Sequence, residues 1–180
     1  MSPARKKPQP LEEPALYEFA VAALARQMRT VAELKRLMSR RVEAGEAGES
    51  KMAAVVARLA AQHYLDDRAF ASNYARLRQE NQSLGKRRVQ QELIRKGVHP
   101  ELVAGSLESA YAQITEAELV RRYVARKRMV KPQNDKEAAR LVRRLVAAGF
   151  SFAIISTLLK SWDIDCSEAD LVMPEDGLAD

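Results

Sequence analysis

The sequence predicts an all-α protein, an elongated, curved array of three tandem three-helix repeats. Its 180 residues are rich in Ala, Leu, Arg and Glu but hold only 7 Gly and 6% aromatic residues, a composition typical of helices. Apolar residues recur with helical spacing between clear start and stop signals. Superposing Gly97 on Gly149 aligns Leu93 with Leu145, Val98 with Phe150, Val103 with Ile155 and Leu107 with Leu159. Units this small bury one side against a neighbour instead of each closing a large core.

Residues 1–13 read as a flexible basic arm. Arg5, Lys6 and Lys7 are followed by no apolar run, so a signal peptide is not expected. Repeat 1, residues 14–65, opens at Pro14, suited to a first helical position, with Leu16, Phe19, Ala20 and Leu24 as its core stripe. Thr30-Val31-Ala32-Glu33 is a capping box that starts a helix running to about Val42. Glu43 to Ser50 reads as a flexible acidic connector. A helix with Met52, Val55, Val56, Leu59 and Ala60 inward then ends near His63.

Repeat 2, residues 66–113, comprises helices from Arg68 to about Gln82, Lys86 to Lys96 and Pro100 to about Gln113. Repeat 3, residues 114–162, opens on a second capping box, Thr115 to Glu118, and its first helix runs to about Val130 before Pro132. Asp135 to Ala148 and Phe152 to Trp162 complete it. The longest mainly apolar stretch, Val146 to Leu159, is too short and too interrupted to span a membrane. The lone Cys166 permits no internal disulfide and fits a reducing, cytoplasmic setting.

Net charge is +6, unevenly placed. No Lys or Arg follows Lys160, whereas the acidic tail, residues 163–180, carries seven carboxylates. Residues 1–162 therefore hold 30 cations and 17 anions, and such a surface implies a polyanionic partner. The tail either lies near that basic body and competes with phosphates, or serves as a solubilising end.

Two stretches are word-like: Tyr64-Leu65-Asp66-Asp67-Arg68-Ala69-Phe70, and the run from Gly85 through Lys86, Arg87, Arg88 and Val89 to Glu92-Leu93-Ile94-Arg95-Lys96-Gly97. The Asp pair suits a helix start and Gly97 a left-handed helix end. Together they resemble the central signature of the RecX family, small regulators of the RecA recombinase. His63 departs from the family's usual Gly and is expected to loosen the turn into Tyr64. The resemblance implies tandem three-helix repeats and a protein that binds RecA and lies in the groove of the RecA–DNA filament. It further implies inhibition of ATP hydrolysis, strand exchange and coprotease activity, and so modulation of DNA repair and the SOS response.

On the helix from Lys86 to Lys96, Val89 and Leu93 face inward, leaving Arg87, Gln91 and Arg95, with Arg88 beside them, to reach outward. Arg76, Arg78, Arg121, Arg122, Arg126, Lys127, Arg128, Arg143 and Arg144 extend this candidate surface for the filament, RecA or DNA; Lys131 and Arg140 lie among them. Residues 76–144 hold 17 basic and 8 acidic side chains.

A general basic helical DNA-binding or architectural protein is the alternative reading, with single- or double-stranded DNA as direct partner. Helix-turn-helix base reading is disfavoured, because the second helix, Pro100 to Gln113, has Glu101 and Glu108 and no cation. Catalysis is not expected. Asp66 and Asp67 suit caps better than an acid–base pair, His63 and His99 share no ligand spacing with Cys166, and Gly45 and Gly48 lack a phosphate loop's Gly-Lys-Ser/Thr ending. Tyr64, Phe70, Tyr74, Tyr111 and Tyr123 are expected to pack in the core. The expectation is a cytoplasmic monomer without cofactor, metal or membrane contact.

Overall fold

The computed structural model describes residues 9–164. Most of the arm, residues 1–8, and most of the acidic tail, 165–180, lie outside the described residues. The chain is all-α, with α1 (Glu13–Arg26), α2 (Val31–Met38), α3 (Glu46–Ala61), α4 (Asp67–Gln82), α5 (Lys86–Arg95), α6 (Pro100–Tyr111), α7 (Glu116–Arg126), α8 (Asp135–Ala147) and α9 (Phe152–Lys160). Two compact units result. The first takes residues up to Tyr74 together with Glu92–Ser106, and the second Ala75–Gln91 together with residues from Leu107 onward.

In the first unit, Leu16 and Ala20 of α1 meet Leu34 and Met38 of α2 and Val55, Leu59 and Leu65 at or after α3. Phe19 and Leu24 pack only at the margin. Both arms of the Thr30 capping box form, the Thr side chain accepting from Glu33 N–H and the Glu33 carboxylate from Thr30 N–H. α2 ends at Met38, short of Val42.

The connector expected over Glu43 to Ser50 is mostly helix. Gly45 caps α3 at φ +96°, and Gly48 is buried so tightly that a Cβ would stand 2.0 Å from the Glu43 carbonyl oxygen. Glu46 and Glu49 occupy the first turn of α3, where the helix dipole favours anions. Lys51 Nζ bridges Glu12 at 2.8 Å and Glu43 at 2.9 Å.

In the second unit, Leu119, Val120, Tyr123 and Val124 of α7, Leu141, Val142 and Leu145 of α8, and Ile155, Leu158 and Leu159 of α9 form one core. Tyr123 meets Phe150 edge to face. The Thr115 box keeps one arm: its side chain accepts from Glu118 N–H, while the Glu118 carboxylate pairs with Arg122, one turn along. The equivalenced pairs share an environment, since Leu93, Leu145, Val98, Phe150, Val103, Ile155, Leu107 and Leu159 are all buried. Gly97 and Gly149 each stand in the left-handed region, at φ +82° and +92°. Behind each, the next N–H reaches back to close the turn, from Val98 to Leu93 O and from Phe150 to Leu145 O.

Each of these glycines ends a helix against the start of an earlier one. In the first unit a Cβ on Gly97 would lie 2.3 Å from Ala32 Cβ, and the buried Thr30 hydroxyl donates to Lys96 O at 2.6 Å. In the second unit a Cβ on Gly149 would lie 2.4 Å from Arg88 N, and Gly85 N–H donates to Ala148 O at 2.8 Å. The ends of α5 and α8 thus dock in the same way on the starts of α2 and α5. Carbonyls left over at a helix end meet donors near another helix start, satisfying groups that neither helix can satisfy alone.

Candidate basic interface

Most of the residues in the two word-like stretches that the structure engages lie at or beside these two junctions. Leu65 and Phe70 are buried. Asp66 caps its own helix by accepting from Ala69 N–H at 2.9 Å, whereas Asp67 reaches across to accept from Val31 N–H, at the start of α2, at 2.9 Å. Burial pushes the Asp67 carboxyl above its ordinary value, against the Val31 hydrogen bond, which lowers it; Asp66 and Glu33 nearby add to the rise. Glu92 accepts from Tyr74 O–H at 2.9 Å. Lys96 pairs with Glu33 at 2.7 Å and stands 5.6 Å and 5.5 Å from the stacked rings of Phe70 and Tyr74. Gly85 and Gly97 allow the two backbone approaches.

Three expectations for this region need correction. His63 does not loosen its turn: it adopts φ +59°, and His63 and Tyr64 N–H close the end of α3 on Ala60 O and Leu59 O. Arg88 is half-buried and engaged within the fold instead of reaching freely outward. Tyr64, expected to pack in the core, is 59% exposed. Tyr64 lines an apolar groove of about 370 Å³ with Leu24, Met28 and Phe70, a surface that sequence reasoning missed because its residues come from two segments far apart in sequence.

The outward cations fall into two groups. Arg76 pairs with Glu80 at 2.9 Å, Arg122 with Glu118, and Arg126 donates to Asn81 O and Glu80 O. Lys127 lies 5.9 Å from the Tyr123 ring, and Arg78 is half-buried and engaged. These side chains help hold the second unit. By contrast Arg87, Arg95, Arg121, Arg128, Arg140, Arg143 and Arg144 are exposed and meet no carboxylate among the described residues. Exposed Gln91 is beside Arg87 and Arg95 in helical spacing. All seven except Arg95 belong to the second unit.

Side chains of α7 and α8 reach outward because Leu119, Val120, Tyr123 and Val124, and Ala138, Leu141, Val142 and Leu145, hold the opposite faces in the core. Arg128, Arg140 and Arg144 converge on one cleft of about 320 Å³. Lys86 and Arg87 line a separate one with Glu116 and Ser151, where the Glu116 carboxylate accepts from Ser151 N–H and O–H. Arg121 borders a shallow apolar depression with Ile154 and Leu158. Among the described residues no group of three or more His, Cys, Asp or Glu could hold a metal, and no helix is long and apolar enough to cross a membrane.

Fold and surface define a class: an all-α protein of helical repeats whose signature residues pack its junctions and whose second unit exposes cations that meet no carboxylate among the described residues. The chain is 31% identical over 170 residues to the regulatory protein RecX of Myxococcus xanthus, covering 87% of this chain and 90% of that one. It belongs to the RecX family of regulatory proteins. A family model described as RecX, second three-helix domain, matches residues 66–107. Identity to the regulatory protein RecX of Mycolicibacterium vanbaalenii is 35% over 126 residues, 68% of this chain and 66% of the relative. For that of Oceanobacillus iheyensis it is 26% over 149 residues, 82% of this chain; the match spans about half, 53%, of that relative's length. Among solved structures, a crystal structure of regulatory protein RecX superposes with TM-score 0.63 at 21% identity, over 83% of this chain and 71% of that one. RecX from Lactobacillus salivarius superposes with TM-score 0.59 at 20% identity, over 84% and 96%. Both share the fold.

Proposed function

We propose that this protein is a non-enzymatic regulator that binds RecA and its DNA filament and restrains ATP hydrolysis, strand exchange and coprotease activity. Through these it would modulate DNA repair and the SOS response as a cytoplasmic monomer. The observation that carries the reading is the division of labour among cations: those of the second unit that meet no carboxylate among the described residues stand beside others fixed in ion pairs. Exposed Arg without partners attracts phosphate and carboxylate surfaces without reading base sequence. Contacts from several helices then add through effective concentration along a repetitive partner. Repeats bounded at 14–65, 66–113 and 114–162 suit such a partner, and the two equivalent glycine junctions support an internal repeat.

The competing reading is a general DNA-binding protein, which the same unpaired cations favour. Single-stranded-DNA-dependent ATP hydrolysis by RecA separates the two. The regulator inhibits at concentrations well below those that coat the DNA. Inhibition only at coating levels would select the competitor.

A further inference from the structure

The cleft formed by Arg128, Arg140 and Arg144 has an unbalanced charge. Its one anion, Glu137, is occupied, since its carboxylate accepts from Gln133 N–H at 2.9 Å and Asn134 Nδ2 at 3.3 Å to order the start of α8. Its apolar part includes Met129, Leu141 and Val130, which is 79% exposed. An open cleft that brings three cations together with the exposed Val130 and the half-buried Met129 suits an acidic chain carrying a few apolar side chains.

The sequence carries such a chain immediately after Ile164. Just beyond α9, Asp163 stands at φ +58° and Ile164 N–H donates to Leu159 O, and Ile164 packs against the core that Met129 also borders. Asp163 Oδ2 lies 3.9 Å from Lys131 Nζ, a residue within the segment that forms the cleft wall. That exposed pair contributes little energy, but it shows where the chain leaves α9. From there follow Asp165, Glu168, Asp170, Glu175, Asp176 and Asp180 with no cation, and Leu171-Val172-Met173 in their midst. Sixteen residues extend to roughly 50 Å, so reach does not prevent docking. A tether of this kind gives a local concentration on the order of millimolar.

We infer that residues 165–180 dock on this cleft, their carboxylates on Arg128, Lys131, Arg140 and Arg144 and Leu171 to Met173 on Met129 and Val130, and so screen the second unit's cations from nucleic acid. Docking stands on the cleft and the exit point. Screening rests in addition on the proposed binding of nucleic acid. The effect is selective. A freely exchanging stretch of DNA must displace the acidic segment at each encounter, whereas a repetitive filament displaces it once and keeps many contacts.

Docking is tested in the full chain carrying Cys166→Ser and Ala179→Cys, with a nitroxide on the new thiol. Amide signals of residues 128–131 and 140–144 should lose at least about half their intensity at low salt and regain it in about 0.5 M salt, where the Debye length is only a few ångströms. Arg140→Glu with Arg144→Glu should abolish the broadening, circular dichroism reporting an intact fold. No broadening, or broadening that survives charge reversal, overturns docking. Screening is tested with a fluorescent single-stranded oligonucleotide. Converting the six carboxylates to amides should tighten its binding at low salt by about fivefold or more, the gain shrinking as salt rises. Equal affinity overturns screening while the nitroxide result decides docking. If neither protein binds the oligonucleotide, screening falls with the nucleic-acid reading, and docking again stands or falls by the nitroxide.

Discussion

Asp67 stands at the first turn of α4, yet its side chain serves a backbone donor at the start of α2. Burial raises its pKa above the ordinary carboxylate value, so the folded state holds the proton more firmly than the unfolded chain. The stability this supplies is fully present below the unfolded pKa and is lost as pH rises through the folded one. Asp67→Asn keeps an oxygen for Val31 N–H and removes the charge. Denaturant titrations from pH 4 to 7 should therefore show the variant gaining relative to the parent as pH rises, while Asp67→Ala should follow the same trend but lie about 1 kcal/mol below Asp67→Asn at every pH from the missing acceptor. A relative loss for the Asn variant on going to pH 7 would contradict the assignment. His63 gives the complementary case. Holding a non-glycine residue at φ +59° is unfavourable by about 1 kcal/mol, so His63→Gly should raise stability by about 0.5–1 kcal/mol and leave the circular dichroism spectrum unchanged. A fall in the thermal midpoint would show that His63 is held by contacts beyond its backbone.

Helix ends, more than helix faces, decide how the elements fit. Gly149 needs both its positive φ and its missing Cβ, because the atoms in the way, Arg88 N and Gly85 O, are backbone and cannot swing aside. Gly149→Ala should lower stability by about 2–5 kcal/mol from strain and overpacking together. Gly105 is the control, with nothing within 4 Å of its Cβ position inside α6. Gly105→Ala should stabilise by about 0.5–1 kcal/mol. Thermal melts of the two variants should move in opposite directions, and parallel shifts would remove the junction model.

Some of this was readable in the chain. The Thr30 box, the Gly97 and Gly149 stops and the inward Val89 and Leu93 are local or periodic signals. The bond from Val31 to Asp67 and the approach of Gly85 to Gly149 were not, since they join residues far apart in sequence. Glu43 to Ser50 misled because glycines and acids suit a linker, yet the same acids suit a helix start.

Considered as a whole, the molecule separates the residues that hold it together from the exposed cations proposed to meet a partner. Words that mark the family, from Leu65 to Gly97, are mostly buried, capped or pressed against backbone. Unpaired cations concentrate in the second unit, on residues that the junctions do not use. Charge and stability should therefore be separable by mutation. The most direct measurement compares two full-length variants, Arg87→Glu with Arg143→Glu and Arg144→Glu, and Leu93→Ala, for binding to preformed RecA filaments by fluorescence anisotropy alongside urea unfolding. The triple reversal should weaken filament binding at least about tenfold, the loss shrinking with added salt, with an unfolding midpoint close to the parent's. Leu93→Ala should lose about 2–5 kcal/mol of stability and, at temperatures where it stays folded, bind nearly as the parent does. Filament binding unchanged by the triple reversal in a folded protein would contradict the account.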